Sequence, residues 1–220
     1  MKREIIQTSD GSTTIHLPEW NENYHSKHGA IQEAKHVFIK NGFEQFNQTE
    51  IAILEIGFGT GLNAFITFLE AKKSNTKVNY VGVEAYPVVF NEISQMNYVD
   101  ELQATDFESK FKEMHESEWN VNVKISDAFC LTKRQQFFNE IIDVEDFDLI
   151  YFDAFGYRVQ PDLWSTAIFL KMFNALKPGG KLVTYAARGV VKRSMLEVGF
   201  TVEKLAGPPG KREMFLASKK

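Results

Sequence analysis

The sequence predicts an α/β fold with a mainly parallel seven-stranded sheet, helices on both faces, and an antiparallel hairpin at its C-terminal end. Three observations carry this reading. Short apolar runs alternate with helical stretches through the middle of the chain, a glycine-rich turn joins the first run to the first helix, and the last two runs are too close together for a helix between them. With 220 residues, 44% of them apolar and 25% charged, the chain can fill one core but falls short of two ordinary domains. One domain over 1–220 is expected, with 1–48 an N-terminal appendage and 49–220 the ligand-binding core.

Taken in order, Glu4–Thr8 and Thr13–Leu17 flank Asp10-Gly11, a turn pair that favours a hairpin. Ile31, Ala34, Val37, Phe38 and Phe43 recur at helical spacing, so residues 30–46 read as a helix. The strand-like runs are Ile51–Ile56, Val78–Val83, Val121–Ile125, Phe147–Phe152 and Lys181–Tyr185, with helices over Leu62–Ala71 and Leu163–Leu176, the second led by Pro161. Pro178-Gly179-Gly180 reads as the turn into the fifth strand. Phe200–Leu205 and Glu213–Ser218 then pair antiparallel, because seven residues between them leave no room for a crossover.

The run Leu54-Glu55-Ile56-Gly57-Phe58-Gly59-Thr60-Gly61-Leu62-Asn63 ends a strand and opens a helix, which turns its amides toward a ligand. A dinucleotide loop needs its third glycine at Leu62; the spacing here is G-x-G-x-G, the loop shape used for S-adenosylmethionine. Glu55 is placed to take an ammonium. Glu84 ends the second strand 23 residues beyond Gly61, where a carboxylate can accept both ribose hydroxyls. Asp127, Ala128 and Phe129 end the third run and offer a carboxylate and a ring to adenine, although each also suits a loop cap or the core. With the antiparallel hairpin, this layout resembles the class I, Rossmann-like methyltransferases.

Ligands in such sheets meet the carboxyl ends of the central strands. The fourth run ends in Asp153-Ala154-Phe155, and a carboxylate there suits an amine acceptor, which must be aligned and must shed a proton. A turn or helix-cap role for Asp153 is the plainer alternative. Charge is segregated: residues 171–220 hold 11 Lys+Arg against 3 Asp+Glu, net +8, whereas 1–170 hold 14 against 26, net −12. Such a basic end fits a polyanion as well as it fits ordinary solvated lysines. A single cysteine, Cys130, excludes internal disulfides and thiolate metal cages. His25, His28, Glu33 and His36 have no spacing that suits a metal, so none is expected. The polar N-terminus and the absence of long apolar spans point to a cytoplasmic protein that does not engage membranes.

The segments LEIGFGTGLN (54–63), FDAFGYRVQPDLW (152–164) and TYAARGVVKRSMLEVGFTVEKLAGPPGKREM (184–214) resemble the MnmC/MnmD family, the methyltransferase part of tRNA 5-methylaminomethyl-2-thiouridine biosynthesis. Tyr24-His25-Ser26 and Gly29–Glu33 resemble its leading segment. The resemblance runs from about residue 20 to the end, with no oxidase following. It departs at Gly156-Tyr157, where the family more often has proline, and at His25. It implies methylation of the 5-aminomethyl group on the wobble (2-thio)uridine of tRNA, with the anticodon stem-loop as partner. Gly57, Phe58, Gly59, Gly61, Asn63, Glu84, Asp127 and Ala128 become cofactor contacts, and Asp153 faces the amine. Tyr24, Phe155, Trp164 and Tyr185 become candidates for base contacts, though core packing suits each equally. Arg188, Lys192, Arg193, Lys211 and Arg212 become candidates for phosphate contacts, Lys192-Arg193 on a helix with Val190, Val191 and Leu196 as its apolar side. Two other readings remain: a small-molecule amine methyl- or aminopropyl-transferase, and a non-catalytic binding module.

Overall fold

The computed structural model describes residues 2–220. A small N-terminal sheet contains β1 (Glu4–Gln7), β2 (Thr13–Leu17) and β3 (Glu22–Asn23). The main sheet contains β4 (Glu50–Ile56), β5 (Lys77–Val83), β6 (Asn122–Ser126), β7 (Phe129–Arg134), β8 (Phe147–Phe152), β9 (Leu176–Thr184), β10 (Thr201–Ala206) and β11 (Glu213–Ser218). Its order is β10-β11-β9-β8-β4-β5-β7-β6; the five inner strands from β9 to β7 run parallel, and β10, β11 and β6 are antiparallel to their neighbours.

Strands β4 and β8 are apolar on both faces because helices cover both. On one face Ile51, Ile53, Leu149 and Tyr151 pack with helices α1 (Ala30–Ala34) and α2 (Leu62–Ser74). On the other, Leu54, Ile56, Ile150 and Phe152 pack beneath α6 (Thr166–Ala175) and α7 (Gly189–Glu197). Short helices α3 (Phe90–Ile93), α4 (Tyr98–Glu101) and α5 (Glu108–Glu116) link β5 to β6. After α1 the first helix widens to π-type turns over Lys35–Lys40, ending earlier than its apolar spacing suggests.

The sheet has eight strands rather than seven. What read as a single third strand near Val121–Ile125 is the edge strand β6, and the true parallel partner of β5 is β7, beyond a turn at Asp127-Ala128. Alternation in β7 buries Phe129, Leu131 and Lys133, and the lysine disguised the period. Lys133 buries its stem, and its ammonium donates to His115 O at 2.6 Å and lies 4.9 Å from the Trp119 ring centroid. Burial lowers its pKa to about 8. Pro178-Gly179-Gly180 does not interrupt the chain between helix and strand but forms an irregularity inside β9, where Phe147 pairs with Leu176 and Leu149 with Lys181. The buried side of α7 is Val191, Ser194 and Met195, and Leu196 is exposed.

The N-terminal sheet is no peripheral appendage. Ile15 and Leu17 join the main core, and Asn97 fixes the hairpin by accepting from Thr13 N at 2.8 Å and donating to Gly11 O at 2.9 Å. Gly82 in β5 has the Phe58 ring directly against it, with no room for a Cβ. Gly82→Ala is therefore expected to destabilise the fold by about 1–3 kcal/mol through overpacking and to displace the loop carrying Phe58. A denaturant midpoint equal to that of the unaltered protein would contradict this packing.

Candidate functional site

A cavity of about 800 Å³ opens at the carboxyl ends of β4, β5 and β8, where the strand order reverses direction. Its floor is the glycine loop. Gly57, Gly59 and Gly61 all have positive φ, at 91°, 50° and 70°. A Cβ on Gly57 would stand 2.7 Å from Asp153 O, so only glycine lets the β4 loop pass this close to the end of β8. Gly57 N and Phe58 N both donate to Val83 O at 3.0 Å, tying the same loop to β5.

Glu84 lines the cavity with its carboxylate already oriented. Gly59 N donates to Oε2 at 3.1 Å and Tyr86 N to Oε1 at 2.9 Å, leaving each oxygen a lone pair for a vicinal diol. Asn63, at the start of α2, donates from Nδ2 to both Glu55 Oε1 and Asp153 Oδ2, each at 2.9 Å. Glu55 also accepts from the Tyr80 hydroxyl at 2.9 Å. Glu55 is fully buried and does not line the cavity, so it supports Asn63 from beneath instead of taking an ammonium itself. Burial first, and the neighbouring Asp153, raise its pKa well above the usual carboxylate range, against the hydrogen bond from Asn63.

Asp153 lies in the cavity wall, and its pKa is pushed up to about 7. Burial is the main cause and Glu33 the next, opposed by Asn63 and Lys211. Around it stand Trp20, Tyr24, Phe155 and Tyr185. Phe155 meets Tyr24 and Trp20 edge to face at centroid distances of 5.1 and 5.6 Å. Burial pushes the Tyr24 hydroxyl up to about 12.

Other sequence candidates lie elsewhere. Asp127, Ala128 and Phe129 sit at the amino ends of the parallel strands, since the β6–β7 hairpin puts its turn there; Ala128 O accepts from Val78 N at 2.8 Å. Asp127 is solvent-exposed and paired with Lys124 at 2.7 Å, and Phe129 is buried against Tyr80. None of the three reaches the cavity. Trp164 is fully buried, its Nε1 donating to Phe155 O at 2.8 Å, and presents no face for stacking. Lys211 turns inward to an ion pair with Glu33. Arg188, Arg193 and Arg212 are exposed and Lys192 half-buried, all outside the cavity. Among the described residues no group of His, Cys, Asp and Glu is arranged to hold a metal ion, and no helix is long and apolar enough to cross a membrane.

The structure adds residues that the sequence reading passed over. Trp20 and Glu22 enter the wall from the N-terminal sheet, and Tyr86, Val89, Phe137 and Phe138 form an apolar wall beside Glu84. Tyr86 and Phe137 meet edge to face at 5.9 Å. The paired phenylalanines follow the true third strand, a signal hidden once the strand was placed too early.

A family described as S-adenosyl-L-methionine-dependent methyltransferase matches residues 89–220. Among curated proteins, the tRNA 5-methylaminomethyl-2-thiouridine biosynthesis bifunctional protein MnmC of Campylobacter fetus is 29% identical over 93% of this chain and 34% of its own length. Its namesake in Cupriavidus necator is 28% identical over 91% of this chain and 32% of its own. The chain thus spans about a third of these relatives. MnmC2 from Aquifex aeolicus shares the fold at a TM-score of 0.76 and 22% identity, covering 100% of this chain and 70% of that one. Spermidine synthase from Thermotoga maritima does so at 0.55 and 14%, covering 98% and 72%.

The cavity fits that family's cofactor on its own terms: a glycine cradle that a Cβ would fill, an oriented carboxylate for a ribose, and a buried Asn63 Oδ1 without a donor. Glu84→Ala is expected to weaken S-adenosylmethionine binding by about 2–4 kcal/mol, through loss of two charge-assisted hydrogen bonds. Titration calorimetry on the folded variant checks this; unchanged affinity would remove Glu84 from the ribose site.

Proposed function

The chain belongs to the S-adenosyl-L-methionine-dependent methyltransferase family, and on that premise we propose that it methylates the 5-aminomethyl nitrogen of a wobble uridine in tRNA. The observation that carries this reading is Asp153: a carboxyl group with its pKa near 7, set among aromatic rings at the end of β8 and across the glycine loop from Glu84. An alkylamine is mostly ammonium at neutral pH, and a carboxylate in a dry wall can both align it and accept its proton.

When bound, the cofactor supplies an electrophilic methyl group on a sulfonium. Glu84 would take the ribose hydroxyls, Asn63 Oδ1 the amino group, and Tyr86, Phe137 and Phe138 the flat face of adenine. On the acceptor side, Trp20, Tyr24, Phe155 and Tyr185 offer rings for a base swung out of its stack. Asp153 Oδ2, held by Asn63, would orient the amine lone pair in line with the methyl group and receive the proton lost as nitrogen is alkylated. Placing nucleophile and methyl in line accounts for most of the rate in such a displacement. The exposed Arg188, Arg193 and Arg212, with half-buried Lys192, suit phosphates, which set register without reading sequence.

Single-turnover transfer to tRNA bearing 5-aminomethyluridine tests this reading. The rate should rise with pH through about 7 as Asp153 ionises. Asp153→Asn should lose that rise and fall roughly 10²-fold, recovering in part at higher pH, where more free amine exists. Parallel profiles for the two proteins would reject Asp153 as the amine's partner, and no transfer by the unaltered protein would reject the substrate.

The combined change Lys192→Ala and Arg193→Ala should lower tRNA affinity and flatten its salt dependence while cofactor affinity holds. A salt titration with unaltered slope would make the pair an ordinary solvated surface.

A further inference from the structure

The cluster His25, His28, Glu33 and His36 holds no metal arrangement among the described residues, yet three of its members converge on the turn joining β10 to β11. His36 Nε2 donates to Ala206 O at 2.8 Å, and the His28 ring lies against Gly210, leaving no space for a Cβ. Glu33 Oε2 accepts from Ser26 N at 2.9 Å, and its Oε1 pairs with Lys211 Nζ. The same ammonium sits 3.9 Å from the centroid of the Tyr185 ring. Tyr185 in turn donates from its hydroxyl to Ala154 O at 2.7 Å, one residue from Asp153.

We propose that Lys211 and Glu33 are positioning residues for methyl transfer, a charge pair that holds Tyr185 against the Asp153–Ala154 backbone and acts on the Asp153 carboxyl group with opposing charges, and that Lys211 makes no phosphate contact. This rests on the reading of Asp153 as the amine's partner, but the electrostatic part can be measured without substrate. The geometry favours it over a nucleic-acid role. An ammonium already engaged by a buried carboxylate and a ring gives up both contacts to reach a phosphate, whereas its neighbour Arg212 is exposed and needs no such exchange.

The charged and titratable groups around Asp153 come from several elements: Glu33 from the first helix, Glu55 from β4, Tyr80 from β5, Tyr185 just beyond β9, and Lys211 from the hairpin turn, with Asn63 bonded directly. Within that set Lys211 contributes the positive charge and Glu33 an opposing negative one. Removing Lys211 leaves Glu33 uncompensated, so the Asp153 carboxylate is disfavoured and its pKa rises. Removing the charge of Glu33 favours the carboxylate and its pKa falls. Opposite signs from two partners of one ion pair distinguish an electrostatic role from general loosening of the site.

The experiment follows the ¹³C carboxyl resonance of Asp153, assigned by its loss in Asp153→Asn, across a pH titration of the full chain. Lys211→Met should move the midpoint up, and Glu33→Gln should move it down, each by about half a unit to one unit, as expected for a charge at this range in a partly buried site. Lys211→Arg should stay near the unaltered protein. In tRNA binding, Lys211→Met should keep the salt slope, and Arg212→Ala should reduce it. Should Lys211→Met fail to fold, Glu33→Gln and Lys211→Arg still carry the sign test. Midpoints that do not move, that move in the same direction for both partners, or a reduced salt slope in Lys211→Met would overturn the proposal. The expected midpoints in a protein that does not methylate tRNA would overturn the proposed substrate and leave the charge pair standing.

Discussion

Two carboxyl groups on adjacent strands, Glu55 on β4 and Asp153 beyond β8, share one amide donor, Asn63 Nδ2. That sharing is possible only because Gly57 lets the β4 loop lie against the Asp153 carbonyl, at a distance no other residue would permit. With the loop so placed, α2 starts at Leu62 and Asn63 falls between the two acids. Both carboxyl groups lose water, and both become harder to ionise. Glu55 is fixed at the base by Tyr80, whereas Asp153 faces the cavity. The two acids differ in surroundings rather than in chemistry: one is structural support, and the other is open to an acceptor.

The N-terminal sheet completes the site by roofing it. Arg3 donates to Glu92 at 2.8 Å and Tyr86 O at 3.2 Å on the Glu84 side. Arg158 donates to Trp20 O, Asn21 O and Glu22 at 3.1–3.2 Å on the Asp153 side. Two arginines thus strap one small sheet across opposite rims of the cavity. The roof brings Trp20 and Tyr24 to Phe155 and covers part of the cavity beside the half-buried Asp153, which strengthens the electrostatic interactions there.

Much of this was legible from residue patterns because glycine spacing and strand alternation are local. The G-x-G-x-G loop, Glu84 at the end of β5 and Asp153 at the end of β8 all follow from where apolar runs stop. The misplaced adenine contacts have a physical cause: Lys133 occupies a buried position in β7, so the hydrophobic period broke and the strand was read one segment early. Trp164 misled for a different reason. A tryptophan beside an active-site motif looks like a stacking surface, but its Nε1 finds the Phe155 carbonyl and the ring fills the core. Trp20 and the inward turn of Lys211 depend on contacts between segments distant in sequence, and no local pattern encodes them.

Nucleoside mass spectrometry of tRNA from cells lacking this chain is the direct test of the proposed methylation of an amine on a tRNA wobble base. The unmethylated 5-aminomethyl nucleoside should accumulate at the wobble position, and it should be converted when the unaltered chain is restored but not when Asp153→Asn is. A wobble nucleoside profile identical with and without the chain would contradict the proposed methylation.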